Sequence, residues 1–211
     1  MASTRKFKER KDYLVVSNEQ VMMVQDSPLV VFSAKGKTYE THLPGSYNFE
    51  NIAAALAIGS YFGVNTDLAN EAVAEYNPNN NRSQIIEKGT NSILLDAYNA
   101  NPSSMLASIQ NFINLKTDKQ KVVILGDMLE LGDEAAAEHK AIGELIAKGN
   151  FALVVLFGEL MASALVSLPN AFYFTDKFSL HNWLIDKSLQ NSYVLIKGSR
   201  GVSLETTLQF L

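Results

Sequence analysis

LLDAYNANPSSM, residues 94–105, opens on two leucines that belong in a core and turns at Asp96 into amides, a tyrosine and a proline. An apolar run that breaks into polar residues and then into Asn101-Pro102 is a buried strand delivered to a helix start. An amide at the N-cap accepts from free N–H groups of the first turn, and a proline at the first helical position forfeits no hydrogen bond. Capping accounts for Asn101 and Pro102. It leaves Asp96, Tyr98 and Asn99 unexplained, because a strand can be joined to a helix with less polar material. An aspartate at a strand end beside a helix start suits ribose hydroxyls, and an amide suits a small polar ligand.

The same unit recurs downstream. Apolar runs ILLD, KVVILG, ALVVLFG, AFYF and YVLIKG are each followed by a segment of helical period, at 105–115, 134–148, 160–168, 178–189 and from 204 onward. Alternating β and α with nearly all-apolar strands predicts an α/β fold, a doubly wound, mainly parallel, Rossmann-like sheet covered on both faces. QIIEKG, just before ILLD, is expected to pair antiparallel through the GTN turn. Upstream, YLVVS, VMMVQ, LVVFSA and KTYETHL read as a small antiparallel meander with AKGK as a tight turn. The period then changes: Ile52, Ala55, Leu56 and Gly59 fall at helical spacing behind Asn48 as N-cap, Gly63 closes the helix, and a second short helix covers 67–76. NPNNNRS, residues 77–83, is too polar to pack and too rich in Asn and Pro to propagate a helix. It marks a boundary between a domain over 1–80 and another over 81–211.

Composition narrows the function classes. A net charge of −4 with both signs mixed along 211 residues offers no sustained basic face, so nucleic acid is not an expected partner. The basic start TRKFKERK reads as a short solvated arm. The chain has no cysteine, hence no disulfide framework and no thiolate metal site, which suits a reducing cytoplasm. No apolar run approaches the ~20 residues of a membrane span, so no membrane partner is expected.

In an open parallel sheet, ligands bind beyond the carboxyl ends of the strands. The loops there are AYNANP, GDMLELGDE, GEL and GSRG, and three of the four are more polar than a turn requires. In GSRG two glycines bracket Ser199 and Arg200, letting backbone approach a ligand, while the arginine fork matches a carboxylate or phosphate. Lys197 adds a second cation. Alternatively this is a surface turn with a solvated arginine. In GDMLELGDE, Asp127 and Glu130 are either a carboxylate pair or a shaped loop in which one carboxylate caps. His139 reads as a satisfied structural histidine, and His42 and His181 have no partner at metal spacing, so no metal site is assigned. Asn48 and Asn51 could present amides to an adenine edge. Arg82, in the asparagine-rich linker, could reach a phosphate.

GSYNFENIAAALAIG (45–59), Asn81-Arg82, LDAYNANPSSM (95–105), LGDMLELG (125–132) and VLIKGSRG (194–201) occur in this order, and together they resemble the Mur ligases. These are ATP-dependent amide-forming enzymes of peptidoglycan assembly. The branch resembled is the one that adds D-alanyl-D-alanine to UDP-N-acetylmuramoyl-tripeptide. The resemblance implies that 1–80 is the tail of a central ATP-binding domain and 81–211 the family's C-terminal domain. It further implies that Asn48 and Asn51 face adenine, Arg82 the γ-phosphate, Asp96 the ribose or its neighbourhood, and Lys197 a phosphate or carboxylate. Tyr98, Asn99, Asn101, Ser199 and Arg200 would surround the incoming dipeptide. ATP and Mg²⁺ are the implied cofactors, with the magnesium ligands upstream along with the other domains.

The sequence departs from the family at two points. Tyr47 stands where the family has histidine in G-x-H-N, and no G-x-x-x-x-G-K-[ST] occurs, so the chain alone is expected not to turn over ATP. Rival readings are another Mur or folylpolyglutamate-type ligase, or a non-catalytic module binding a nucleotide or peptide. A nicotinamide dehydrogenase is disfavoured because no strand leads into G-x-G-x-x-G.

Overall fold

The computed structural model describes residues 21–211, in two compact units that divide between Asn77 and Pro78. The expected strand YLVVS and the basic arm lie outside the described residues.

In the first unit, β1 (Val21–Gln25), β2 (Val31–Ala34) and β3 (Lys37–Glu40) form an antiparallel sheet in that order. Ala34 pairs with Lys37, so only Lys35 and Gly36 turn the chain, both at positive φ (49° and 80°), the backbone of a tight hairpin. Two helices follow, α1 (Tyr47–Tyr61) and α2 (Thr66–Glu75). Ile52 and Leu56, one turn apart on α1, bury against Phe32 and Ala34 of the sheet and Val30 just before β2. Asn65 caps α2, its Oδ1 accepting from the N–H groups of Asp67 and Leu68. Asn48, expected to cap α1, does not. Ser46 holds the N-cap, and Asn48 is the second residue of the helix, its Nδ2 donating to Pro44 O at 2.7 Å.

The second unit is a six-stranded sheet in the order β4-β5-β9-β6-β7-β8. Its strands are β4 (Gln84–Lys88), β5 (Asn91–Asp96), β6 (Gln120–Gly126), β7 (Leu153–Phe157), β8 (Phe172–Phe174) and β9 (Ser192–Lys197). β4 and β5 are antiparallel, joined by Gly89-Thr90, and every other pairing is parallel. Side chains alternate between two cores, as a sheet covered on both faces requires. Leu94, Val123, Leu125, Leu156 and Leu195 face one core, with α3 (Pro102–Asn114) and α4 (Ala135–Ile146). Ile93, Leu95, Ile124, Val194 and Ile196 face the other, with α5 (Lys177–Lys187). Each such aliphatic side chain taken fully out of water contributes about 1.5–3 kcal/mol, so the central strands are the stable part of this unit.

Two segments expected as α-helices are 3-10 helices instead, Leu160–Ser167 and Leu204–Phe210. In the latter, the hydroxyls of Thr206 and Thr207 donate to the carbonyls of Ser203 and Leu204 at 2.8 and 2.7 Å, competing with the i−4 pattern. Leu160–Ser167 is short and runs into Pro169, so propagation cannot repay an α-helical nucleus. It lies so close to α4 that a Cβ added to Gly143 would be 2.5 Å from Ala164 O and 2.9 Å from its Cα.

In an open helix, alanine is about 1 kcal/mol better than glycine. Gly143→Ala should instead destabilise this protein by about 1–3 kcal/mol, because rigid backbone must move to admit the methyl. The urea unfolding midpoint measures this, and a rise would show that the approach of Gly143 to Ala164 does not set the spacing.

Candidate functional site

The order of strands creates the site. β5 and β6 are each followed by a helix on one face of the sheet, α3 and α4, whereas the chain after β9, which lies between them, packs Val202 and Leu204 on the opposite face. Loops that leave neighbouring strands to opposite faces open a crevice at the carboxyl ends. A cleft of about 250 Å³ lies there, lined by Asn99, Ala100 and Asn101 after β5, Leu129, Glu130 and Leu131 after β6, and Ser199, Arg200 and Gly201 after β9. The tyrosine-asparagine, glycine-aspartate and serine-arginine loops thus meet on one rim.

The polar residues of this rim divide into those that hold the loops and those that face outward. Lys197 is 1% exposed and its Nζ pairs with Asp96 Oδ2 at 2.5 Å while donating to Asn99 O at 3.3 Å. Asp96 Oδ1 also accepts from Ser83 N at 3.4 Å. Both charges are therefore engaged with each other. Ser199 is similarly engaged: its hydroxyl donates to Ala100 O at 3.3 Å and accepts from Leu129 N at 2.9 Å, while its N–H donates to Asp127 O at 3.0 Å. One buried serine thus ties three loops together. Asn101 is the N-cap of α3, its Oδ1 accepting from Ser104 N at 2.8 Å within a capping box, so its oxygen serves the helix.

Facing outward are Arg82, Tyr98, Asn99, Glu130 and Arg200. The Tyr98 ring carries the Arg82 guanidinium 3.8 Å from its centroid and that of Arg200 at 5.6 Å. Arg82 does not sit in a free linker. Tyr98 N donates to Asn81 O at 3.1 Å, fastening the end of the asparagine-rich stretch to the loop after β5. In the first unit, Asn48 is buried, and Asn51 is exposed with its Nδ2 donating to Asn48 Oδ1 at 3.2 Å.

Of the alternatives for GDMLELGDE, capping is correct for Asp127: its carboxylate accepts from Met161 N at 2.8 Å and Leu160 N at 3.3 Å, at the head of the 3-10 helix Leu160–Ser167. Glu130 is separated from it and stands in the cleft wall, with its backbone at φ 67°. His139 is fully buried; Met128 N donates to its Nε2 at 3.0 Å, so Nδ1 carries the proton and donates to Ala135 O at 2.7 Å. That neutral tautomer supports the loop after β6 from beneath. His181, on α5, has its pKa lowered by burial and by the charge of Lys177, and stacks on Phe210 away from the cleft. Among the described residues no three acidic or histidine side chains gather as a metal site would need.

The sequence already marked Glu130 as one of two carboxylates in a loop shaped by Gly126 and Gly132, and Glu130 and Gly132 do stand at positive φ. What it did not show is that Leu129 and Leu131 line the cleft beside Glu130.

Removing one member of a buried ion pair strands the other charge and costs about 3–5 kcal/mol. Asp96→Asn and Lys197→Met should each destabilise the second unit on that scale, and the double variant by less than the sum. Chemical denaturation of the four proteins tests the coupling; simple additivity would remove the pair from its structural role.

The family described as Mur ligase, glutamate ligase domain, matches residues 81–200. UDP-N-acetylmuramoyl-tripeptide--D-alanyl-D-alanine ligase of Bacillus subtilis (strain 168) is 32% identical over 189 residues, which is 85% of this chain and 41% of that protein. The crystal structure of MurF from Acinetobacter baumannii superposes with a TM-score of 0.77 at 25% identity, over 90% of this chain and 44% of that one. MurF ligase from Thermotoga maritima, in complex with ADP, superposes with a TM-score of 0.72 at 24% identity, over 90% of this chain and 45% of that one, a likeness of fold alone. The chain spans about two fifths of the length of the curated relative it matches. With the match to the family running through more than half of the chain and over the loops that build the cleft, this chain belongs to the Mur ligase family.

Proposed function

We propose that this chain is the C-terminal portion of an ADP-forming ligase that joins D-alanyl-D-alanine to UDP-N-acetylmuramoyl-tripeptide in peptidoglycan precursor synthesis, through an acyl phosphate. The observation that carries the proposal is the convergence of the YNANP, GDMLELG and GSRG loops on one small cleft. Its volume, about 250 Å³, falls below the ~300 Å³ at which sites for drug-sized ligands begin, so it suits a dipeptide better than a nucleotide sugar. The name carried by the Bacillus subtilis relative supports the same substrate.

Within this reading residues 78–211 are the family's C-terminal domain, bringing the incoming amine, and the residues before them are the tail of its ATP-binding domain. ATP, when bound, supplies the phosphoryl group that activates the carboxylate of the acceptor peptide. Taken unit by unit, the exposed amide of Asn51 in the first can meet a base edge, and the exposed guanidinium of Arg82 in the second can meet a phosphate. Asp96 and Lys197, in contrast, already pair with each other. Among the described residues no three acidic or histidine side chains gather that could hold Mg²⁺.

The work of this chain is positioning. Arg200 offers a planar pair of donors to the dipeptide carboxylate, Leu129 and Leu131 supply apolar walls, and Ser199 fixes the spacing of the three loops. Holding an amine in attacking geometry converts a bimolecular encounter into an effectively unimolecular step, worth about 7–11 kcal/mol of barrier in well-oriented systems.

Calorimetric titration of this chain with D-alanyl-D-alanine, D-alanine and L-lysine tests the substrate. The dipeptide should bind at least tenfold more tightly than either amino acid, and a preference for a single amino acid would move the chain to another branch of the family. Incubated with ATP, tripeptide substrate and dipeptide, the chain should release no phosphate above background, because the phosphate-cradling loop is absent from its sequence. Turnover would overturn that expectation.

A further inference from the structure

Glu130 is a charged residue on the cleft that neither the fold nor the proposed chemistry has yet employed. Its carboxylate is exposed and has no hydrogen-bond or ion-pair partner among the described residues. Its backbone is held at φ 67°, a conformation that L residues with a Cβ avoid at a cost of roughly 1–2 kcal/mol. Asp127, three residues earlier in the same loop, is turned away to cap a helix, and the buried ring of His139 holds Met128 N from below. The loop is therefore fixed on both sides of the turn that presents Glu130.

Of the nine residues lining the cleft, Glu130 and Arg200 alone carry charge, one of each sign, and they form no ion pair with each other. Leu129 and Leu131 flank Glu130, and the cleft is otherwise lined by small or amide side chains. A cleft with one anion, one cation and apolar surface beside them is neutral as a whole. A ligand carrying a single charge would leave one of the two uncompensated as water is displaced, whereas a small zwitterion satisfies both.

We infer that Glu130 is the ammonium-binding residue of this cleft, and that with Arg200 on the carboxylate it selects a zwitterionic ligand, the free amino terminus being read as well as the free carboxyl terminus. This rests on the dipeptide reading above. It adds a requirement which that reading does not contain: the ligand must carry its α-ammonium charge on binding. Since an α-amino group titrates near about 8, affinity should decline as the pH rises through that value.

The test is a calorimetric or NMR titration of this chain with D-alanyl-D-alanine, its N-acetyl derivative and its C-terminal amide, repeated with Glu130→Gln, Glu130→Gly and Arg200→Gln. The wild-type chain should bind the dipeptide at least tenfold more tightly than the N-acetyl derivative. Glu130→Gln should weaken dipeptide binding by a similar factor, leave the N-acetyl derivative unaffected, and flatten the loss of affinity above about pH 8. Arg200→Gln should show the mirror pattern, indifferent to the C-terminal amide. Glu130→Gly removes the charge while relieving the left-handed backbone, so its thermal midpoint should hold or rise although dipeptide binding falls as in Glu130→Gln. If the chain binds the dipeptide and both Glu130 variants bind it equally well, the ammonium assignment fails and the dipeptide reading stands. If the wild-type chain binds no dipeptide, both fall.

Discussion

Lys197 carries its ammonium on the central strand of the second unit with 1% of the side chain exposed, and such a charge is tolerable only if an opposite charge and further acceptors replace the lost water. Asp96, at the end of the neighbouring parallel strand, supplies the charge, and Asn99 O a further acceptor. This requirement organises the rim. Asn99 O turns toward Lys197 while Tyr98 stands exposed, and Ala100 O lies within reach of Ser199, two residues past Lys197. The ion pair and the serine bridge are thus one connected device, and the cleft is the space left beside it. Apolar residues in place of the pair would offer the loop after β5 neither a charge nor an acceptor to bend toward.

The architecture was legible in the sequence because its signals are local and redundant. ILLD, KVVIL and YVLIK are apolar on both faces, which only a sheet covered on both sides explains, and the polar loops that follow them had to share a rim once the strands were parallel. The assignment of individual side chains was less legible. Asp96, Lys197 and Ser199 have the chemistry of ligand-binding residues, and nothing in their order along the chain shows that they meet one another first. That meeting is a matter of register: Asp96 stands beside Lys197 in the parallel pairing, a relation between residues 101 positions apart. Asn48 was misplaced for a smaller reason, since an asparagine close to a helix start has the same appearance whether it caps the helix or, as here, ties its first turn to Pro44. The 3-10 helices escaped because helical period is counted the same way for both kinds, while threonine back-bonding in one and the short run into Pro169 in the other decide between them.

Three of the motifs that carry the family resemblance, those that build the cleft, therefore have mixed physical content. Within LDAYNANP, Asp96 and Asn101 are structural and Tyr98 and Asn99 face the cleft side. Within LGDMLELG, Asp127 caps, Met128 is buried against the core, and Glu130 is presented. Within KGSRG, Lys197 and Ser199 hold while Arg200 projects. Each loop alternates a residue that anchors it with one that it displays, so a substitution at an anchoring position disturbs the displayed neighbour as well.

Arg82 and Arg200 share the Tyr98 ring, and the strength of that arrangement bears on what they can do. An exposed cation–π contact contributes about 0.5–1 kcal/mol, whereas a charge-assisted bond to a carboxylate or phosphate contributes about 1.5–3 kcal/mol. The ring is thus a resting place that an anionic ligand can outcompete at little cost. It also keeps two guanidinium groups near the rim without tying either to a protein carboxylate. A salt bridge in the same place would have to be broken before a ligand could bind, and the protein instead places a buried ion pair, Lys197 with Asp96, where no exchange is needed. Charges that must hold are buried and paired, and charges that must exchange are exposed and rest on an aromatic face.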